Sequence, residues 1–142
     1  MSVTGLFHTG VAAADLDYSL WFYRDLLGFP VIRDRTLSSG QRVVFMNIPG
    51  TAVQFELTHG PATGSEPVSG PFGQVGRGHF CLYVDDARAF LTQLARDYPA
   101  AANADLRTIE SGPYAGATIA FLPDPSGYYI EFFEQPEAAS SS

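Results

Sequence analysis

Residues 8–29 read HTGVAAADLDYSLWFYRDLLGF, and this stretch decides the fold prediction. A short strand-like run leads to Asp15, a residue type that caps the N-termini of helices. Apolar residues then recur with a helical period of about 3.6, and Gly28 supplies the residue that most often ends a helix. The stretch therefore predicts a strand within residues 5–13, followed by a helix between Asp15 and Gly28.

The rest of the chain repeats this order of elements. Three strand-like runs separated by turn-forming residues follow the first helix, and a second strand, helix and three strands follow a Gly- and Pro-rich segment. We therefore predict an α+β fold of two tandem βαβββ modules that form a barrel-like metal cleft. The later strands are expected at about 29–37, 41–48, 52–58, 77–84, 105–110, 116–122 and 128–134, and the second helix at 86–97.

The composition along the chain predicts where the modules begin and end. Residues 61–76 are rich in Gly, Pro and Ser, which is typical of a linker or of a loop over a site. We expect a first module at 1–60, a linker or loop at 61–76, a second module at 77–136 and a tail at 137–142.

Composition and charge exclude several classes of function. The 142 residues are 46% hydrophobic and 16% charged, which indicates a globular chain. The net charge of −7 argues against nucleic acid or an anionic membrane as a partner. All eight basic residues are Arg, so no Lys is present to form a Schiff base.

The expected location is the cytoplasm. The single cysteine, Cys81, cannot form an intrachain disulfide, which fits a reducing compartment. No apolar run is long enough to span a bilayer, and the N-terminal residues MSVTGLFHTG lack the features of a secretory signal.

Four potential metal ligands occupy matched places in the two halves: His8 and Glu56, then His79 and Glu131. The two histidines are 79 − 8 = 71 residues apart and the two glutamates 131 − 56 = 75. Each His opens a strand-like run, and each Glu lies in the last strand-like run of its half. Two imidazoles and two carboxylates suit a divalent transition metal. The pattern therefore predicts a metal site at which these four side chains meet.

Two other residues compete as ligands. His59 follows Glu56 by three residues, but it has no counterpart in the second half, and we interpret it as a residue of the loop or the pocket rim. Cys81 is a possible soft ligand or nucleophile, and a buried small apolar residue is the favoured interpretation.

The two halves can also be aligned on their glutamates. Aligning Glu56 with Glu131 matches Met46 of the first half with Phe121 of the second.

Several segments resemble the vicinal oxygen chelate superfamily, the group that includes glyoxalase I, bleomycin-resistance proteins and extradiol dioxygenases. The similar segments are spread over nearly the whole chain, and the first and last of them are the most specific. They are HTGVAAADLDYSLWFYRDLLGF, FELTHG around Glu56, GHFCLYVDD around His79, and FLPDPSGYYIEFFE at the end.

The resemblance implies a particular chemistry. The His/Glu/His/Glu ligand set of glyoxalase I corresponds to His8, Glu56, His79 and Glu131, with Glu131 as the catalytic base and Glu56 as a ligand or catalytic partner. It implies a lyase or isomerase that acts through an enediolate on a small-molecule substrate with vicinal oxygens. The expected cofactor is a divalent ion, with nickel or cobalt favoured over zinc, manganese or iron, and the expected assembly is a homodimer.

Two departures from the glyoxalase I pattern leave the substrate open. That family usually has an Arg four residues after the first ligand His, where this chain has Ala12, and an Asn four residues after the first Glu, where it has Gly60. A substrate other than a glutathione adduct is therefore possible. The alternative functions are a non-haem iron dioxygenase, which would use His8, His79 and Glu131, and a metal-free antibiotic-binding protein.

Overall fold

The computed structural model describes residues 1–137, so all but the first residue of the predicted tail at 137–142 lies outside the described residues. The chain forms two compact units. Unit 1 comprises Met1–Ser69 with Pro125–Gly127, and unit 2 comprises Gly70–Asp124 with the chain from Tyr128 onward. Each unit contains a four-stranded mixed sheet and helical segments, which confirms the α+β prediction and the tandem modules. None of the helices in residues 1–137 has the length and apolar character of a membrane span.

The sheet of unit 1 has the order β1-β4-β3-β2. Strand β1 pairs with β4 in parallel, and the other neighbours pair antiparallel. All four strands that the sequence predicts in this half are present, with bounds within a few residues of the expected ones. They are β1 (His8–Ala12), β2 (Val31–Thr36), β3 (Arg42–Asn47) and β4 (Gln54–His59).

The first helix lies where it is predicted, but only its start is α-helical. Helix α1 (Leu16–Leu20) begins at Asp15, whose carboxylate accepts a hydrogen bond from the backbone N–H of Tyr18 at 3.0 Å. The chain continues as a π-helical segment at Trp21–Leu26 and ends at Gly28, which has a φ of +77°. The wider π turns bring two consecutive aromatic residues, Phe22 and Tyr23, into the core, where both are completely buried.

An aromatic cluster forms the core of unit 1. The Tyr23 ring lies 4.4 Å from that of Phe55, and the Phe29 ring lies 5.7 Å from it, measured between centroids. Phe55 and Leu57 are completely buried on one face of β4, whereas Glu56 between them is partly accessible on the other. Because burial of apolar surface drives folding, this packing fixes which face of β4 is turned away from the helix.

Unit 2 has the same plan. Its sheet has the order β5-β8-β7-β6, with β5 parallel to β8 and the other pairs antiparallel. Helix α2 (Ala87–Leu94) begins at Asp86, whose carboxylate accepts a hydrogen bond from the Ala89 N–H at 2.9 Å. A short 3₁₀ helix at Pro99–Asn103 is not predicted by the sequence. The strands are β5 (His79–Tyr83), β6 (Asp105–Thr108), β7 (Thr118–Pro123) and β8 (Tyr129–Glu134).

Helix α2 covers one face of this second sheet. Leu91 and Leu94 are buried, and the Phe90 ring lies 4.9 Å from the ring of Phe132 between centroids. Ile130 and Phe132 on β8 are completely buried on the helix side. The intervening Glu131 must therefore point to the opposite face, because successive side chains of a strand alternate.

Candidate metal centre

Unit 1 brings His8 and Glu56 together. Strand β1 runs parallel to β4 with Gly10 beside Glu56, which places His8 on the same face of the sheet. The His8 Nε2 and Glu56 Oε2 atoms lie 4.0 Å apart, and the two side chains are 37% and 28% exposed. This pair therefore lies on the face away from helix α1, within reach of a ligand from solvent.

Unit 2 brings His79 and Glu131 together in the same way. Strand β5 runs parallel to β8 with Cys81 beside Glu131. The His79 Nε2 and Glu131 Oε2 atoms form a hydrogen bond of 3.0 Å. Glu131 is the less accessible carboxylate of the two pairs, at 17% exposed. Both units thus present one Nε2 and one Oε2 atom on the face opposite their helix.

A glycine makes the close approach of β1 and β4 possible. A Cβ added at Gly10 would lie 2.8 Å from the carbonyl oxygen of Glu56 and 3.1 Å from its Cβ. Such distances are shorter than van der Waals contact, and the nearest atom belongs to the backbone, which cannot move aside at low cost. Gly10 therefore leaves the space in which Glu56 is positioned.

We expect Gly10→Ala to displace Glu56 and to weaken metal binding by about 10-fold, the effect typical of disturbing the support of a metal ligand. The measurement is a titration of the metal-free variant with a divalent ion. Gly5→Ala is the matched control, since a Cβ at Gly5 meets no atom within 4 Å. Equal affinities for the Gly10→Ala protein and wild type would show that Glu56 does not depend on this contact.

Each His–Glu pair has an aromatic neighbour in the adjacent strand. Phe45 pairs with Glu56, and its ring lies 5.3 Å from that of His8; Phe121 pairs with Glu131, 5.6 Å from His79. The counterpart of Phe121 is therefore Phe45, and the alignment of Met46 with it is wrong. Residues 48–53 separate β3 from β4, whereas residues 124–128 separate β7 from β8, so the first connection is one residue longer.

The Gly- and Pro-rich segment contributes Phe72 to unit 2, a residue that sequence patterns do not single out. Its ring lies 5.1 Å from the His79 ring and 4.6 Å from the Phe121 ring. The Arg77 guanidinium donates to the Gly70 carbonyl at 2.9 Å and lies 5.3 Å from the centre of the Tyr129 ring. A cavity of about 400 Å³ adjoins these rings; its lining includes Phe72, Phe121, Tyr129, Asp105 and Arg107.

Cys81 is exposed, so the interpretation of it as a buried apolar residue is wrong. It pairs with Glu131 across β5 and β8, on the face that carries the ligand pair. Partial desolvation by its neighbours, followed by the charge of Glu131 and a hydrogen bond to it, raises the pKa of the thiol to about 12. The thiol is therefore protonated at neutral pH, which disfavours a nucleophilic role.

His59 lies at the end of strand β4 and not in the following loop, which corrects the sequence interpretation. Its Nδ1 atom lies 2.7 Å from the carbonyl oxygen of Ala13. Since Glu56 and His59 are three positions apart on one strand, their side chains lie on opposite faces. His59 is thus engaged in a structural hydrogen bond on the helix side of the sheet.

The donor atoms fit a divalent metal ion. Two neutral imidazoles and two carboxylates carry a combined charge of −2, and nitrogen and oxygen donors of this kind suit zinc, nickel, cobalt, manganese and iron. Within residues 1–137, however, no group of three or more His, Cys, Asp or Glu side chains is placed to hold a metal. Each unit brings together one imidazole and one carboxylate as candidate donors.

The family model for the Glyoxalase/Bleomycin resistance protein/Dioxygenase superfamily matches residues 5–132. This chain belongs to that superfamily. The match covers both units, and it confirms the family prediction made from the sequence segments around the four ligand candidates.

Three comparisons illustrate what this chain is similar to in sequence or in fold. A Synechocystis protein named "Probable lactoylglutathione lyase" is 32% identical over 134 residues, which cover 91% of this chain and 94% of the relative. The Leishmania major glyoxalase I structure is 22% identical and gives a TM-score of 0.67 over 93% of this chain and 87% of that one. The structure of an antibiotic binding protein from Streptomyces gives a TM-score of 0.64 at 20% sequence identity, over 95% of this chain and 98% of that one. The two structural likenesses show the fold alone.

Proposed function

We propose that this superfamily member is a divalent-metal-dependent lyase or isomerase of the glyoxalase type. The substrate is a small molecule with vicinal oxygens, and the reaction proceeds through an enediolate. The observation that carries the proposal is the matched pair of His–Glu contacts, 4.0 Å in unit 1 and 3.0 Å in unit 2, on equivalent faces of two equivalent sheets. Sequence identities of 32% and 29%, over nearly the whole chain, to two proteins named as a probable lactoylglutathione lyase and a lactoylglutathione lyase support the reaction type.

Four residues would hold the ion: His8, Glu56, His79 and Glu131. When bound, a divalent ion supplies positive charge that stabilises oxyanions developing on the vicinal oxygens of the substrate. Nickel or cobalt is the expected ion. The hydrogen bond between Glu131 and His79 orients the Glu131 carboxylate beside the imidazole.

The chain's own contribution to the reaction is the movement of one proton. Glu131 accepts a proton from one substrate carbon and returns it to the neighbouring carbon, so no net proton is gained or lost. Its low accessibility, at 17% exposed, restricts exchange of that proton with water. Glu56, at 28% exposed, acts as a ligand or as a partner in this transfer.

We propose that the complete site is shared between two chains of a homodimer, with one His–Glu pair from each chain. In this arrangement His8 and Glu56 of one chain meet His79 and Glu131 of the other. The support is that each unit brings one His and one Glu together, and that no group of three or more potential metal-binding side chains was found among residues 1–137. A two-fold symmetric dimer would then contain two equivalent sites.

The test is reconstitution of the metal-free protein with nickel, cobalt, zinc, manganese or iron(II), followed by a substrate panel. The panel contains hemithioacetals of 2-oxoaldehydes, catechols and acyl-CoA thioesters. We expect turnover of a hemithioacetal, with nickel or cobalt giving the highest rate. Ring cleavage of a catechol with iron(II) would instead indicate a dioxygenase. Tight binding of an antibiotic without turnover of any panel member would indicate a binding protein.

A further inference from the structure

Two arginines lie on the same sheet face as the unit 1 ligand pair. Strand β2 places Arg33 opposite Phe45 of β3, and Phe45 in turn lies opposite Glu56 of β4. Arg35 lies two residues further along β2 and therefore shares the face of Arg33. Because residues that lie opposite each other in neighbouring strands share a face, both guanidinium groups belong to the face of His8 and Glu56.

Neither arginine is neutralised by a side chain in the part of the chain that the structure describes. Asp34 stands between them, but it points to the other face, where the Arg42 guanidinium donates to it at 2.7 and 3.0 Å and holds the pKa of its carboxyl below the usual value. Arg42 also donates to Asp17 of helix α1 at 3.2 Å. Within residues 1–137, the side chains of Arg33 and Arg35 form no ion pair and no hydrogen bond. They are two free cations in a chain of net charge −7.

The equivalent positions of unit 2 show a different arrangement. Asp105 lies opposite Phe121, which lies opposite Glu131, so Asp105 occupies the place that Arg33 has in unit 1. Arg107 corresponds to Arg35, and its guanidinium lies 3.7 Å from the Asp105 carboxylate. The edge of the unit 2 sheet thus balances its own charge, whereas the unit 1 edge carries two like charges that repel each other.

We propose that Arg33 and Arg35 form an anion-binding subsite that holds a carboxylate or phosphate group of the substrate. The inference rests on the proposed function and specifies its substrate class: a small molecule with vicinal oxygens and an anionic group at some distance from them. Arg33 and Glu56 are two strands apart, which separates their Cα atoms by roughly 10 Å. A guanidinium matches the two oxygens of a carboxylate or phosphate, so two of them favour an anion over a neutral group.

The kinetic test compares pairs of methylglyoxal hemithioacetals in which one member carries the anionic group and the other lacks it. Glutathione and its diethyl ester form the carboxylate pair, and 4′-phosphopantetheine and pantetheine form the phosphate pair. In one of the two pairs, we expect kcat/KM to be higher for the anionic member than for its partner. That pair shows whether the subsite binds a carboxylate or a phosphate group. In the double variant Arg33→Gln/Arg35→Gln, kcat/KM for that anionic member should fall roughly 10- to 100-fold, mainly through KM, since a hydrogen bond to a charged group has this size. Turnover of the members that lack the anionic group should not change.

The matched control is Arg88→Gln/Arg96→Gln, which removes the same charge from helix α2 and the residues after it. A loss of the same size in this control, or a loss below twofold in the β2 double variant, would overturn the proposal.

A binding measurement separates this proposal from the proposed reaction. Inorganic phosphate is titrated at constant ionic strength while NMR follows the Arg Nε–H signals. Saturable shifts at Arg33 and Arg35, absent in the β2 double variant and retained in the α2 control, support the subsite even if no hemithioacetal turns over. Turnover without any charge preference, together with no saturable shift on β2, would overturn the subsite and leave the proposed reaction standing.

Discussion

Replacing Glu131 by Gln is expected to lower turnover by roughly 10²–10⁴-fold, the usual contribution of a general base. The amide has nearly the shape of the carboxylate, so the fold and the contact with His79 at 3.0 Å can persist. The amide cannot accept the substrate proton, and the loss should therefore appear in kcat. Metal content should fall less, because three of the four proposed ligands remain.

The measurement is kcat for the wild type and for the variant at matched metal occupancy. Glu56→Gln is the matched control, because it makes the same change at the equivalent position of the other unit. Its loss should be the smaller, since Glu56 is the more exposed of the two carboxylates and is proposed as a ligand or partner, whereas Glu131 is proposed as the base. Equal losses in the two variants would mean that both carboxylates share the proton transfer. Undiminished turnover in Glu131→Gln would remove Glu131 from the mechanism.

A mixture of two inactive proteins is expected to regain activity. His8→Ala removes a proposed ligand from unit 1, and His79→Ala removes a proposed ligand from unit 2, so each variant alone should have little turnover. In a mixed dimer, unit 1 of the His79→Ala chain meets unit 2 of the His8→Ala chain, and that site has all four ligands. Random exchange makes half of the dimers mixed, each with one complete site of two, which predicts about a quarter of the wild-type activity.

The experiment requires subunit exchange, which is achieved by unfolding and refolding the two variants together. A mixture of His8→Ala with Glu56→Ala is the control, because both changes affect unit 1 and no combination restores a complete site. Recovery in the first mixture alone supports a site shared between chains. If the first mixture stays as inactive as its components although mixed dimers have formed, the four ligands do not come from two chains in this way.

Local signals explain why the elements could be predicted. Asp15 and Asp86 each precede a run in which apolar residues recur with a helical period, and each caps the helix that follows. Each carboxylate accepts a hydrogen bond from the backbone N–H of the residue three positions later. Strand alternation places Glu56 and Glu131 on the face opposite their immediate neighbours in the sequence, which are buried. Such features depend on a few neighbouring residues, and a single sequence contains them.

Features that depend on exact lengths and on packing could not be predicted. The alignment that matched Met46 to Phe121 failed because one connection is a residue longer than the other, and such an insertion leaves no trace in strand periodicity. The π-helical turns after Leu20 depend on how the aromatic side chains fit the sheet. The exposure of Cys81 depends on what covers its face of β5, which no local pattern describes.

The charge pattern of β2 illustrates the same limit. The sequence shows Arg33, Asp34 and Arg35 in a row, which resembles an ordinary solvated edge strand. Only the register shows that Asp34 belongs with Arg42 on one face, while the two arginines share the face of Glu56. The hydrogen bond between Arg42 and Asp17 joins residues that are 25 positions apart, so it depends on the fold and cannot be inferred from the local sequence.

The most direct test of the account is the number of divalent ions bound per chain and its dependence on the four ligands. Titration calorimetry of the metal-free protein with nickel or cobalt should give one ion per chain for the wild type. His8→Ala and His79→Ala should each weaken binding by at least about 10-fold, the loss that follows even from disturbing a ligand's support. His59→Ala, which removes the histidine bonded to Ala13 on the opposite face, should bind metal like wild type. Unchanged stoichiometry and affinity in both His8→Ala and His79→Ala would contradict the account.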